Sequence, residues 1–185
     1  MKKQLTILIS NFILIFHLHA HGNEADHKDQ AKFIDGKNFV KISERIDTSG
    51  QPVLESLKNI AERNYDLVIN LAPSLSNGSI LQEGGLISQT GASYVNIPVD
   101  WDNPTDKDFE FFSQVLSSST HKKVLVHCQI NMRASLFTFL YRVVIEKIDA
   151  EKAYEKLTEV WKPSDQWLTF AQMILKKHKI DFTFY

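Results

Sequence analysis

Lys123-Val124-Leu125-Val126-His127-Cys128-Gln129-Ile130-Asn131-Met132-Arg133-Ala134-Ser135 decides the reading of this chain. The apolar run before the cysteine has the character of a buried strand, and Ala134 to Glu146 has that of a strongly apolar helix. A short loop joins them. At the N-terminus of such a helix the free backbone amides and the positive dipole end favour an anion, and a loop of successive amides can curl around a phosphate-sized oxyanion. The same field favours the thiolate of Cys128. Arg133 adds a permanent cation whose planar fork suits two oxygens of a tetrahedral group. Gln129, Ile130, Asn131 and Met132 supply the cradle between them, and Asn131 tolerates left-handed backbone angles better than most residues other than glycine. Ser135 can hydrogen-bond the sulfur, and His127 is expected to point away from the loop and brace its backbone.

Length and composition set the frame. A chain of 185 residues fits one domain, or one domain with an appendage. Its 43% hydrophobic and 23% charged residues fit an ordinary globular protein rather than a disordered or fibrous one. A net charge of −1 argues against a dedicated nucleic-acid binder, which usually carries a basic surplus. The single cysteine cannot form an internal disulfide. A lone cysteine is most often buried and inert, so its strand-loop-helix setting carries the case for reactivity.

The N-terminus reads as a secretory signal over residues 1–20. Lys2 and Lys3 precede the apolar run Leu5 to Phe16, and Leu18-His19-Ala20 offers a cleavage point. The run falls short of the roughly twenty residues that span a membrane, so no stable span is expected after cleavage. Removal takes away two lysines and no acid, which moves the net charge from −1 to −3. The expected location is the periplasm or the exterior. Residues 21–37 are polar at first and read as a flexible leader, with the folded domain over 38–185. Four histidines lie between His17 and His27, but two of them leave with the signal, so no metal site is expected there.

Across the domain, short β-rich runs alternate with amphipathic ones. Strands are expected at Phe39–Ser43, Leu67–Leu71, Tyr94–Val99 and Lys123–His127. Helices are expected at Val53–Asn64, Ile80–Gln89, Thr105–Leu116, Ala134–Glu146, Ala150–Trp161 and Ser164–His178. Thr105 is a capping residue, and Asp106 and Asp108 suit the positive end of the helix. The alternation implies an α/β fold of three layers, with a central mostly parallel or mixed sheet flanked by helices.

HCQINMRAS resembles the HC…R(S/T) signature loop of cysteine-dependent protein tyrosine and dual-specificity phosphatases. IDTSGQP, DLVINL and ASYVNIPVDWDNPT resemble, as an ordered set, the bacterial tyrosine-phosphatase-like proteins related to the phosphatase-like domain of beta-lactamase-hydrolase-like proteins. The resemblance implies a tyrosine-phosphatase-like fold and a mechanism that needs no metal or other cofactor. Cys128 attacks phosphorus, Arg133 and the loop amides hold the equatorial oxygens, and an aspartic acid protonates the leaving oxygen. That acid is Asp100 or Asp102. Asp102 is preferred, with Asp100 capping or bracing the turn. The implied partner is a phosphorylated small molecule or a phosphoprotein, and the sequence is silent on oligomeric state.

Four residues separate Cys128 from Arg133, where phosphatases of this type carry five, and the usual loop glycine is absent. Four is the spacing of rhodanese-like sulfurtransferases, which carry sulfur on the cysteine as a persulfide. Sulfur transfer is therefore one alternative. A non-catalytic module that binds phosphate or sulfate groups is another.

Overall fold

The computed structural model describes residues 34–185, so the expected signal and most of the expected leader lie outside the described residues. Five strands form one sheet: β1 (Val40–Lys41), β2 (Ile46–Ser49), β3 (Leu67–Asn70), β4 (Ser93–Asn96) and β5 (Val124–His127), in the order β1-β2-β5-β3-β4. Only β1 runs antiparallel to its neighbour. Six helices accompany the sheet among the described residues: α1 (Leu54–Lys58), α2 (Glu83–Gln89), α3 (Asp106–Ser117), α4 (Met132–Val144), α5 (Ala150–Thr158) and α6 (Asp165–Lys177). The expected three-layer α/β architecture holds.

The period-2 alternation of the strands sorts the core into two parts. Leu67 and Ile69 of β3 and Val124 and Val126 of β5 join the larger cluster with Phe109, Phe112, Phe137, Leu157, Trp167 and Phe170 from the long helices. Val68 and Leu125 take the other parity and join Leu57, Ile60, Tyr65 and Ile87. Phe137 is the hub of the larger part, with ring centroids 5.5–6.4 Å from Phe109, Phe112, Trp167 and Phe170.

The strand Ile46–Ser49 is not among the strands expected from the sequence. Asp47, Thr48 and Ser49 are buried there because each finds a partner: Tyr65 Oη donates to Asp47 Oδ2 at 2.6 Å, Asn131 Nδ2 to Thr48 Oγ1 at 3.1 Å, and Ser49 Oγ to the Gly50 carbonyl at 2.8 Å. The helix expected over Val53–Asn64 is a single short turn of α1 followed by irregular turns, with Asn64 in a left-handed conformation. The folded part also takes in Ile34–Lys37, which the leader reading had placed outside the domain. Ile34 is buried in the smaller core, and Gly36 forms a bridge with Pro52.

The register fixes where the site forms. Ser49 of β2 and Asn70 of β3 both pair with His127 of β5, so three parallel strands end in one row. A crevice outside the carboxyl ends of parallel strands is where α/β folds place their ligands.

Candidate active site

Cys128 follows the last residue of β5, and Arg133 is the second residue of α4. The loop between them is held from behind. Gln51 N donates to the Gln129 carbonyl at 3.1 Å, Asn38 Nδ2 to the Ile130 carbonyl at 2.9 Å, and Cys128 N to the Ser49 carbonyl at 3.3 Å. A trans peptide sets its N–H opposite its C=O, so tying the Gln129 carbonyl toward Gln51 turns the Ile130 amide to the other side. Asn131 takes φ 74° and ψ −4°, the left-handed conformation anticipated for it, and its side-chain amide donates back to the Asn38 carbonyl. Gly50 makes the seat close. A Cβ there would lie 2.9 Å from the Lys37 carbonyl oxygen and 3.0 Å from the Gln129 carbonyl oxygen.

Arg133 is only 6% exposed, and its Nε has no hydrogen-bond partner. No carboxylate pairs with it among the described residues. Its one neighbour of note is aromatic, the ring of Trp101, whose centroid lies 5.2 Å from Cζ. Trp101 in turn packs against Trp167 at 5.0 Å and Trp161 at 6.1 Å. Trp161 Nε1 donates to the Met132 carbonyl at 3.2 Å, which ties this aromatic wall to the start of α4. Cys128 is 1% exposed. The hydroxyl of Ser135 donates to the Met132 carbonyl at 3.1 Å, so a bond to the sulfur requires it to leave that carbonyl.

The loop from Asp100 to Pro104 precedes α3, whose start is fixed by a capping box between Thr105 and Asp108. Asp100 Oδ1 accepts from Asp102 N at 3.0 Å, closing a local turn. The carboxylate of Asp102 is exposed and takes no such part. Gln166 Nε2 donates to the Trp101 carbonyl at 3.3 Å and fastens the loop to α6.

Sequence reasoning missed Glu83. This carboxylate opens α2 and is 4% exposed. Oε1 accepts from Gln51 Nε2 at 2.7 Å, and Oε2 accepts from Asn70 Nδ2 at 2.8 Å and Tyr94 Oη at 3.0 Å. His127 Nε2 lies 3.3 Å from Oε1, within ion-pair distance for a protonated imidazole. Burial pushes the Glu83 carboxyl up, yet His127, Gln51 and Tyr94 together outweigh it and hold the group below the usual carboxylate range. Burial, and then the carboxylate beside it, push the Tyr94 phenol well up. The signal in the sequence was Asn70, a polar residue ending an apolar strand, which must find buried partners.

A mixed sheet with a cysteine at the end of its central strand, and an arginine in the first turn of the following helix, gives the chain a tyrosine-phosphatase-like fold. The chain is similar in sequence to the beta-lactamase hydrolase-like protein of Xylella fastidiosa, 33% identical over 111 residues that cover 57% of this chain. Those residues span 25% of that relative, so the likeness concerns a quarter of a longer protein. A DUF442 protein of Shewanella putrefaciens CN-32, named as a candidate phosphatase, superposes with a TM-score of 0.71 at 28% identity, covering 81% of this chain and 97% of that one. PTPMT1 in complex with PI(5)P shares the fold, with a TM-score of 0.65 at 14% identity over 76% of this chain and 96% of its own. No family model matches the chain.

Proposed function

We propose that this chain is an exported cysteine-dependent phosphatase that hydrolyses a phosphomonoester through a phosphocysteine intermediate. The observation that carries the reading is Arg133, a buried guanidinium with no counter-charge among the described residues, in the first turn of a helix that begins four residues after a cysteine. A buried cation without a partner is costly, and an oxyanion bound between it and the loop amides removes that cost.

The chemistry runs in two steps. Cys128 Sγ attacks phosphorus as the bond from phosphorus to the ester oxygen breaks, and Asp102 passes its proton to the departing oxygen. Water then attacks phosphorus, the P–S bond breaks, the Asp102 carboxylate takes a proton from the water, and inorganic phosphate leaves. Asp102 is favoured as the acid because Asp100 is engaged in the turn with the Asp102 amide. A phosphorylated small molecule or a phosphoprotein fits the cradle, and a fold relative that holds PI(5)P supports a small-molecule phosphate. Periplasmic or secreted placement rests on residues 1–20, and N-terminal sequencing of the mature protein checks it.

The four-residue loop favours a second reading, sulfur transfer through a Cys128 persulfide. Purified protein separates the two. Release of product from an aryl phosphate, abolished by Cys128→Ser, cut on the order of 10²–10³-fold by Arg133→Ala and reduced more by Asp102→Asn than by Asp100→Asn, supports the phosphatase. Thiocyanate formation from thiosulfate and cyanide supports sulfur transfer. Thermal protection by phosphate with neither activity identifies a binding module.

A further inference from the structure

Three of the four groups around the Glu83 carboxylate lead to the signature loop. His127, 3.3 Å from Oε1, is the residue before Cys128. Gln51, whose side chain donates to Oε1 at 2.7 Å, is also the residue whose main-chain amide holds the Gln129 carbonyl at 3.1 Å. Asn70, donating to Oε2, pairs in register with His127, and its own Oδ1 accepts from Ala72 N at 2.8 Å. Tyr94 completes the set, and its approach depends on the residue after the carboxylate. A Cβ on Gly84 would lie 2.8 Å from Tyr94 Cδ1, so the ring rests directly on the helix backbone. The carboxylate is thus acceptor to three donors and neighbour to an imidazole, on the face of the sheet opposite the larger core.

We propose that Glu83 is a positioning residue for the signature loop, placing Cys128 through His127 and the Gln129 carbonyl through Gln51. The oxygens of a carboxylate both accept, whereas an amide presents one acceptor and one donor group. In Glu83→Gln the new NH₂ must face either Gln51 Nε2 or Asn70 Nδ2; Asn70 cannot turn its amide over without giving up the bond from Ala72 N to its Oδ1, so Gln51 must either turn over or lose its tie. The tie through Gln51 is re-set or lost while the volume of the side chain is kept. The loop above shifts, and geometry at the reacting sulfur is lost with it.

The kinetic arm of the test rests on the phosphatase reading, and a second arm does not. Wild type, Glu83→Gln and Tyr65→Phe are compared, the last removing the buried Tyr65 to Asp47 hydrogen bond at the other end of the strands as a control for destabilisation alone. With an aryl phosphate, at temperatures where all three are folded, Glu83→Gln is expected to lower kcat at least tenfold with KM moved less than threefold, and Tyr65→Phe to change neither more than twofold. In the second arm, the rate of alkylation by iodoacetamide reports on Cys128 alone because the chain has one cysteine. It is expected to change at least threefold in Glu83→Gln and to stay within that range in Tyr65→Phe. An unchanged alkylation rate in Glu83→Gln, or a kcat within twofold of wild type, overturns the proposal. Absence of turnover in the wild type sinks the phosphatase reading instead and leaves the alkylation arm to decide on Glu83.

Discussion

Replacing Gly50 by alanine tests how closely the turn after β2 seats the signature loop. The added methyl would meet three backbone atoms, the Lys37 carbonyl oxygen at 2.9 Å, the Gln129 carbonyl oxygen at 3.0 Å and Ile130 Cα at 3.0 Å. None of these can rotate away, so relief requires the loop or the segment before β1 to retreat by a few tenths of an ångström. Overpacking of this kind costs about 1–3 kcal/mol. Alanine also narrows the unfolded ensemble, which returns about 0.4–1 kcal/mol. The net expectation is a loss of about 1–2 kcal/mol, with a weakened bond from Gln51 N to the Gln129 carbonyl and a lower turnover. Gly85→Ala is the matched comparison, because nothing lies within 4 Å of its Cβ position and it sits inside α2. There alanine is expected to stabilise by about 0.5–1 kcal/mol without touching the site. Urea unfolding gives both free energies, and an aryl phosphate assay gives the effect on the loop. Equal signs for the two substitutions, or a Gly50→Ala protein as stable and as active as wild type, refute the close seat.

Asn131→Gly keeps the left-handed backbone but loses the side-chain bonds to Asn38 and Thr48, whereas Asn131→Ala loses both, so unfolding free energies should rank wild type, glycine, alanine, with about 1 kcal/mol or more between the last two. Phe137→Ala, at the hub of the larger core, should cost about 3–5 kcal/mol in the same measurement. Because the folded protein holds Glu83 below its usual 4.5, the unfolded chain binds the extra proton first, so stability from this group is present above that value and is lost as pH falls through the lower folded value. Denaturation midpoints followed down from pH 6 should therefore fall more steeply for wild type than for Glu83→Gln.

The parts of the fold legible in the sequence are those set by local chemistry. Thr105 caps α3 as its hydroxyl and the following acids required, and Asn131 takes the left-handed turn that its side chain tolerates. The strand, loop and helix around Cys128 stand where the apolar runs placed them, although α4 begins at Met132 and so includes Arg133 in its first turn. What escaped depends on partners distant in the chain. β2 carries Asp47, Thr48 and Ser49 on an interior strand, and Tyr65 and Asn131 help make that burial tolerable. In the sequence Glu83 looks like an ordinary acid near the start of a surface helix. Its donors stand 32, 13 and 11 residues away, beyond the reach of any periodicity.

The aromatic wall beside Arg133 has a practical consequence. The chain has three tryptophans, and all three touch one another there, with Trp101 against the guanidinium and Trp161 bonded to the first residue of α4. Tryptophan emission from this protein therefore originates in the neighbourhood of the loop and nowhere else. An oxyanion that neutralises Arg133 alters the field across the nearest indole, so an unlabelled sample carries its own optical gauge of occupancy.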